Sequence, residues 1–281
     1  MPIKPCPYFD PNEPSDDAEV RRYLTMFKFQ KLMANEELYF ARPNGFEDND
    51  SAEGIPSRER VAALSGVSPY DLSHWSENNN IRGSFAQFRE SYFISCWTLH
   101  GDETYRLWKE YAWDKKEGTH GVAIRTRYAL LKAALEGLPD EINVGKVIYG
   151  KDKLARPGNA WCEITSKTED FTWESEIRAM LYWPSVLSGG NLHIGADNRV
   201  YPKVLDENPR YHWNHDHKLR RIHLAPLLTG IVISPWAAQE TIDEINLWVN
   251  LKKHTYSAEN SPKSTLMPSF EDYLKNERLY R

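Results

Sequence analysis

Residues 172–181 read Thr-Trp-Glu-Ser-Glu-Ile-Arg-Ala-Met-Leu, a stretch that opens with polar side chains and closes with apolar ones. This pattern predicts a β-strand that runs from a polar margin into a hydrophobic core. Residues two apart on a strand face the same side, so Glu174 and Glu176 are expected to share one face. Two like charges there lower stability unless a site uses them. The plain alternative is an exposed edge strand with a solvated acidic face.

The composition is typical of a globular protein with a hydrophobic core. Hydrophobic residues make up 41% and charged residues 27% of the 281 residues. The net charge of -5 gives no overall attraction to nucleic acid, although a local basic patch stays open. The three cysteines form no Cys-x-x-Cys pair, which disfavours a zinc ribbon or a disulfide framework. The first residues contain no apolar leader, and no long apolar run follows, which predicts a cytoplasmic protein without membrane contact.

Short strands and helices follow one another without a regular alternation. Strands are predicted over 38–42, 92–97, 121–125, 143–150, 172–181, 219–224 and 230–234, and helices near Asp16 and over 25–35, 103–114, 128–136, 235–253 and 269–281. No glycine-rich loop follows a strand, which disfavours a dinucleotide-binding turn or a P-loop. The pattern therefore predicts an α+β fold with antiparallel sheets.

Two other parts of the sequence are candidate functional sites, a histidine cluster and Cys96. His212, His215 and His217, with Asp216 and His223, could hold a metal ion, and with the acidic loop at 47–53 they would suggest a metal-dependent nuclease. A polar surface loop explains the same histidines, because loops run over the surface. Cys96 follows an apolar run and is expected to be an inert thiol rather than a nucleophile.

The order of several short motifs resembles a widespread bacterial domain-of-unknown-function family that is often met among abortive-infection and phage-defence genes. The resemblance covers roughly residues 20–267. It rests on Arg22-Tyr23, Leu38-Tyr39-Phe40-Ala41-Arg42-Pro43, Ser95-Cys96-Trp97, Leu107-Trp108, Gly121-Val122-Ala123-Ile124, Gly145-Lys146-Val147-Ile148-Tyr149, Lys167, Trp173-Glu174-Ser175-Glu176-Ile177-Arg178 and Leu227–Pro235.

The motif order also looks like that of ADP-ribosyltransferases. That superfamily has an Arg or His on the first strand, a Ser or Tyr on a middle strand and a Glu, often within Glu-x-Glu, on a later strand. The resemblance implies split antiparallel β-sheets with surrounding helices, in a single ADP-ribosyltransferase-like domain over 1–281 with insertions at 55–90 and 184–218. It implies an NAD-dependent ADP-ribosyltransferase toxin of anti-phage defence, with NAD as substrate.

The resemblance assigns the chemistry to Glu176, Glu174 and Ser95. Breaking the glycosidic bond of NAD passes through an oxocarbenium-like transition state, which a nearby carboxylate stabilises. Glu176 is expected in that role, and Glu174 is expected to deprotonate the incoming nucleophile. Ser95 would orient Glu176 or the nicotinamide ribose.

Binding of NAD is assigned to two arginines and two aromatic residues. Arg22 would hold a phosphate or ribose of NAD through its guanidinium, and Arg42 is a second candidate of the same kind. Trp97 or Tyr39 would stack on nicotinamide or on a target base. No metal is implied.

The acceptor is expected to be a macromolecule, with RNA or DNA slightly favoured over protein. Lys218 and Arg220 lie close in sequence to Tyr211 and Trp213, a mixture that suits single-stranded nucleic acid. An antitoxin protein from a neighbouring gene is the expected partner. A non-enzymatic sensor or binding module of a defence system is the remaining alternative.

Overall fold

The computed structural model describes residues 3, 6–43, 54, 56, 89, 92–99, 104–150, 160–182, 192–194, 200–202, 217–252, 258–260 and 270. The chain divides into two compact units. Unit 1 comprises Met1–Glu13, Tyr39–Ser95 and Pro139–Leu219, and unit 2 comprises Pro14–Leu38, Cys96–Leu138 and Arg220–Arg281. Each unit is therefore assembled from three separated pieces of chain.

Helices and strands are mixed along the described chain. The strands are β1 (Glu19–Leu24), β2 (Glu37–Ala41), β3 (Tyr92–Thr98), β4 (Trp113–Asp114), β5 (Thr119–His120), β6 (Val122–Arg127), β7 (Ile142–Lys146), β8 (Ile148–Tyr149), β9 (Ser166–Lys167), β10 (Glu176–Tyr182), β11 (Leu192–Ile194), β12 (Val200–Pro202), β13 (His217–Arg221), β14 (Gly230–Ile233) and β15 (Ala258–Asn260). The helices are α1 (Met26–Asn35), α2 (Tyr105–Leu107) continued by a π-helix (Trp108–Ala112), α3 (Tyr128–Glu136), α4 (Ala160–Ile164), α5 (Leu224–Leu227), α6 (Gln239–Leu251) and a 3-10 helix (Glu169–Glu174). Helices mixed with antiparallel strand pairs confirm the predicted α+β class.

Unit 2 is built on the antiparallel strands β1, β6 and β14. Ile124 of β6 lies opposite Arg22 of β1 on one side and opposite Ile231 of β14 on the other. Strand β15 adds to β14 in parallel. The apolar residues of β6 and β14 are buried, as their uninterrupted hydrophobic runs lead one to expect. The predicted strands over 121–125 and 230–234 are confirmed.

Strand β1 corrects two expectations about the N-terminal region. Arg22 lies on this strand, whereas the sequence placed it before a helix and outside any strand. The helix predicted near Asp16 is wrong, because residues 16 and 17 form a turn. The main-chain carbonyls of Asp16 and Ala18 instead accept the N–H groups of Ala129 and Tyr128 at the start of α3. The turn thus satisfies donors that α3 leaves without a partner of its own.

Helix α1 follows β1 directly and begins at a threonine cap. The Oγ1 atom of Thr25 accepts a hydrogen bond from the N–H of Lys28 at 3.4 Å. Glu36 ends the helix in the left-handed region, with φ at 56°. One face is buried, formed by Met26, Phe29, Leu32 and Met33. The helix predicted over 25–35 is confirmed.

The helix predicted over 103–114 is shorter than expected and becomes a π-helix after one turn. Thr104 caps it by accepting the N–H of Leu107 at 3.3 Å. The chain leaves the helix at Trp113 because this residue pairs with His120 in the β4–β5 hairpin. The predicted cap, Asp102, lies outside the described residues.

Unit 1 is organised by β10, which pairs antiparallel with β7 and also pairs with β3. Ile177 lies opposite Lys146, and Leu181 lies opposite Ile142. The apolar residues of β10 from 177 to 181 have no exposed surface. Because β10 has a partner on each side, the alternative of an exposed edge strand is wrong.

The stretch 172–181 is not a strand throughout. Residues 172–174 end the 3-10 helix, Ser175 adopts the left-handed conformation with φ 43° and ψ 53°, and β10 begins at Glu176. The N–H of Ser175 donates to the carbonyl of Thr172 at 3.1 Å and closes a local turn. The strand prediction is therefore right from 176 onward and wrong for 172–175, where this turn replaces the sheet ladder.

Several predicted segments lie largely outside the described residues. They are the insertions at 55–90 and 184–218 and the C-terminal helix at 269–281; the acidic loop at 47–53 lies wholly outside. The single-domain organisation over 1–281 stays a prediction. Within the described ranges, no helix combines the length and apolar character that crossing a bilayer requires.

Candidate active site at Glu174 and Glu176

Four charged side chains of unit 1 meet in its interior. The Nζ atom of Lys167 lies 2.6 Å from Oε2 of Glu174 and 3.0 Å from Oε2 of Glu176. The guanidinium of Arg178 grips Glu176 with two parallel bonds, Nε to Oε1 at 2.8 Å and Nη2 to Oε2 at 2.9 Å. We call these four residues the ion cluster. Its two cations balance its two carboxylates.

Each member of the ion cluster is placed by a different local feature. Glu176 and Arg178 are two apart on β10, so they face the same side of the sheet. Glu174 is the last residue of the 3-10 helix, and the left-handed turn at Ser175 connects it to β10. Lys167 comes from β9, which lies parallel to β8. A third bond from Arg178, Nη1 to the carbonyl of Ile164 at 2.5 Å, fixes the guanidinium further.

The expected pairing of Glu174 with Glu176 exists, but for a reason that differs from the prediction. They do not share a face of one strand, because only Glu176 belongs to β10. They share the ammonium group of Lys167. Both carboxylates are buried, with exposed fractions of 4% and 3%, whereas the alternative placed them in solvent. Charges at such depth require partners, because taking an unpaired ion out of water costs several kcal/mol, on the order of 5.

Tyr149 brings a hydroxyl group to the ion cluster. Its phenol oxygen accepts the main-chain N–H of Glu176 at 2.7 Å. Burial raises the pKa of Tyr149, and the negative charge of Glu176 raises it further, while the hydrogen bond from Glu176 and the charge of Lys167 act in the opposite direction. The net effect is upward, so the phenol is protonated at neutral pH.

Three other predicted site residues belong to unit 1. Ser95 is fully buried on β3, the strand that pairs with β10. Tyr39 lies on β2 with 38% of its surface exposed. Arg42 is buried, with its guanidinium carbon 4.7 Å from the centre of the Phe93 ring, and Lys218 Nζ lies 5.6 Å from the same centre. Two cations therefore gather at one aromatic ring of this unit.

The remaining two predicted residues, Arg22 and Trp97, belong to unit 2. The guanidinium carbon of Arg22 lies 5.9 Å from the centre of the Trp97 ring, within the range of a cation–π contact. The structure thus brings Arg22 together with Trp97, and Glu174 together with Glu176. The convergence of all the predicted residues on one cleft stays a prediction.

The histidine cluster is only partly described. His212 and His215 lie outside the described residues, His217 begins β13, and His223 is exposed. Within the described residues, no group of three or more His, Cys, Asp or Glu side chains is arranged to hold a metal ion. Cys96 is half-buried and forms no disulfide bond with another described residue.

Three basic residues of unit 2, Arg125, Arg127 and Lys132, are each matched by an acidic residue of the same unit. The pairs are Arg125 with Glu19 at 3.8 Å, Arg127 with Asp17 at 3.2 Å and Lys132 with Asp16 at 2.9 Å. This arrangement favours a solvated face with balanced charge. Lys218 and Arg220, the basic residues named for a nucleic-acid acceptor, lie on β13.

Sequence reasoning missed the roles of Lys167, Arg178 and Tyr149. A signal for Arg178 was present, because Glu-x-Arg on a strand places opposite charges on one face. Lys167 precedes Glu174 by 7 residues, and Tyr149 precedes Glu176 by 27. Lys167 and Tyr149 lie side by side only because β8 pairs with β9. Sequence spacing alone carries no signal for such contacts.

Comparison with known proteins returns no matching family model, no matching curated protein and no matching solved structure.

Proposed function

We propose that this protein is an NAD-dependent ADP-ribosyltransferase that acts as a toxin in anti-phage defence and modifies a macromolecule. The observation that carries the proposal is the ion cluster, in which a Glu-x-Glu pair is held by Lys167 and Arg178 at the start of β10. The motif order described from the sequence supplies the reaction class. An arrangement of split antiparallel sheets of the ADP-ribosyltransferase kind is part of this proposal.

The reaction requires a carboxylate beside the sugar of NAD. The bond between ribose C1′ and the nicotinamide nitrogen breaks, and its electron pair leaves with nicotinamide. The acceptor then forms a bond to C1′ and loses a proton. Glu176 stabilises the positive charge that develops on the ribose, and Glu174 takes the proton of the acceptor.

The ion cluster suits this division of work. Arg178 holds Glu176 in a two-bond grip, which fixes the orientation of its carboxylate more firmly than one bond would. Lys167 ties Glu174 to the same place. Nearby positive charge favours the ionised form of both carboxylates, and an ionised carboxylate is what the transition state requires.

Binding of NAD is assigned to Arg22, Tyr39, Arg42 and Trp97, as the motif order implies. Arg22 lies on the first strand, as the resemblance implies, and its contact with Trp97 places an aromatic ring beside the guanidinium. Arg42 and Lys218 add two cations near Phe93. Cations beside aromatic rings suit the phosphates and bases of a dinucleotide. Ser95 lies on the strand next to Glu176 and keeps its predicted positioning role.

The acceptor is proposed to be RNA or DNA rather than protein. Lys218 and Arg220 on β13, with the aromatic residues that precede them in the sequence, support this choice. Expression without a neutralising antitoxin protein is expected to arrest cell growth.

The test is transfer of label from NAD to macromolecules. The purified protein is incubated with NAD labelled in its adenylate, together with RNA, DNA or cell protein, and the label retained in each fraction is counted. Glu176→Gln is expected to reduce transfer at least 100-fold, because it removes the charge that stabilises the transition state. Glu169→Gln is the matched control, since Glu169 is an exposed carboxylate of the adjoining 3-10 helix.

Thermal unfolding separates a catalytic loss from a folding defect in Glu176→Gln. Absence of transfer by the wild-type protein, or equal transfer by the variant, would refute the proposal. Cleavage of nucleic acid that a chelator abolishes and Glu176→Gln leaves unchanged would favour a metal-dependent nuclease instead. A full biological effect of the variant would favour a binding module.

A further inference from the structure

Tyr149 is fixed beside the ion cluster by main-chain structure. In the β8–β9 pair it lies directly opposite Lys167. Its hydroxyl oxygen lies 2.7 Å from the main-chain nitrogen of Glu176, the first residue of β10. The phenol is therefore held between β9, which carries Lys167, and β10, which carries Glu176.

Because Tyr149 accepts this hydrogen bond, its hydroxyl proton can still be donated to another acceptor. A main-chain N–H can only donate, so the oxygen of Tyr149 is the acceptor and its own proton takes no part in the bond. Among the described residues, no hydrogen bond has the Tyr149 hydroxyl as its donor. Burial and the charge of Glu176 keep the group protonated by raising its pKa. Tyr149 thus offers one neutral O–H donor at the ion cluster.

The side chain of Tyr149 is half-buried, whereas the four members of the ion cluster are buried. In that cluster, Lys167 donates to Glu174 and forms an ion pair with Glu176, and Arg178 donates to Glu176 and to a carbonyl. The carboxylates can only accept hydrogen bonds while ionised. A ligand at this place would therefore offer hydroxyl donors to the carboxylates and a neutral oxygen acceptor to Tyr149.

We propose that Tyr149 contacts the substrate directly, by donating its O–H to a neutral oxygen of the ligand bound at the ion cluster. This inference rests on the proposed function. In NAD, such an oxygen is supplied by the carboxamide of nicotinamide or by a ribose hydroxyl. The two probes nicotinamide and ADP-ribose each carry one of these sources without the other.

The experiment measures the dissociation constants of nicotinamide and of ADP-ribose for the full chain by calorimetry. Tyr149→Phe removes only the hydroxyl and is expected to weaken one probe about tenfold while the other changes less than twofold, because a single neutral hydrogen bond is lost. Tyr182→Phe, which removes a hydroxyl at the far end of β10, is the matched control and is expected to change neither.

A purely structural role for Tyr149 gives a different result. Loss of its bond to the Glu176 N–H would loosen the cluster and weaken both probes alike, in proportion to the loss of thermal stability. Equal weakening of both probes, or no weakening of either, overturns the inference. Selective loss of nicotinamide identifies the carboxamide as the acceptor, and selective loss of ADP-ribose identifies the ribose.

Label transfer by the same preparations distinguishes this inference from the proposed function. Transfer by the wild-type protein together with unchanged probe binding by Tyr149→Phe leaves the transferase standing and overturns the role of Tyr149. If Tyr149→Phe weakens the binding of one probe selectively but no label is transferred from NAD, Tyr149 is a ligand contact and the proposed transferase activity is refuted. A wild-type protein that binds neither probe refutes both.

Discussion

Unit 1 buries two carboxylates against two cations, whereas unit 2 buries the imidazole of His120 against three aromatic rings. The centre of the His120 ring lies 6.3 Å from Trp113, 5.7 Å from Trp236 and 4.5 Å from Phe270. The imidazole is 8% exposed, and its Nδ1 has no hydrogen-bond partner among the described residues. We call these four residues the aromatic cluster.

The two clusters show two ways in which a protein accommodates a buried ionisable group, by pairing its charge or by keeping it neutral. In the ion cluster, the charges persist because each has a partner of opposite sign. In the aromatic cluster, no opposite charge is supplied, so His120 stays neutral, and burial lowers its pKa to about 4. The ion cluster keeps charge where the proposed chemistry needs it, while the aromatic cluster contributes buried apolar area.

The largest effect is expected from removing one cation of the ion cluster. Arg178→Met should lower the free energy of unfolding by about 3–5 kcal/mol, because Glu176 then loses its two-bond partner while remaining buried. Denaturant unfolding measures this change.

Arg178→Lys is the companion variant for that measurement, because it keeps the charge and loses only the planar fork. It should cost less than Arg178→Met. A loss below about 1 kcal/mol for Arg178→Met would mean that Glu176 is not held as a buried ion, and the contrast between the clusters would disappear.

Acid should destabilise the protein through the aromatic cluster. The unfolded histidine binds a proton below its ordinary pKa of 6.5, whereas the folded one binds it only near pH 4. The unfolded state therefore holds more protons in this window, and stability falls as the pH drops from about 6.5 to about 4. The pKa difference of about 2.5 corresponds to a loss of about 3 kcal/mol, which is complete below the folded pKa.

His120→Phe isolates this contribution from that of the carboxylates. The variant removes the titrating group and the unpaired Nδ1 while it keeps an aromatic ring of similar size. Urea unfolding at several pH values should show the wild type losing about 3 kcal/mol more than the variant between pH 7 and pH 4. Parallel curves for the two proteins would show that His120 is not held neutral by its surroundings.

The sequence predicts elements whose signals are local. The buried strands around Ile124 and Ile231 are recognisable because their apolar runs are uninterrupted, and α1 is recognisable because Thr25 precedes an amphipathic segment. Each of these patterns depends on side chains within about ten residues of one another. The coarse α+β class follows from such patterns without any long-range contact.

The geometry of the site could not be predicted in the same way. Nothing in the local sequence signals that Ser175 adopts the left-handed conformation, which is uncommon for serine and separates Glu174 from β10. The partner of Glu174 is Lys167, and the placement of Arg22 on a strand depends on pairing with Ile124, about a hundred residues away. These features arise from tertiary pairing, which outweighs local propensity.

The smallest effect is expected at an exposed ion pair, which tests whether burial or charge pairing accounts for the strength of the ion cluster. The side chains of Arg127 and Asp17 lie 3.2 Å apart but are 61% and 88% exposed. A double-mutant cycle with Arg127→Met and Asp17→Asn should give a coupling of about 0.2–1 kcal/mol, which 1 M salt removes, because solvent and ions screen this pair. A cycle between Lys167→Met and Glu174→Gln should give a larger coupling that salt changes little, since both side chains are buried. Equal couplings in the two cycles would show that burial adds nothing to pairing here, and the proposed role of the cluster in holding ionised carboxylates would lose its physical basis.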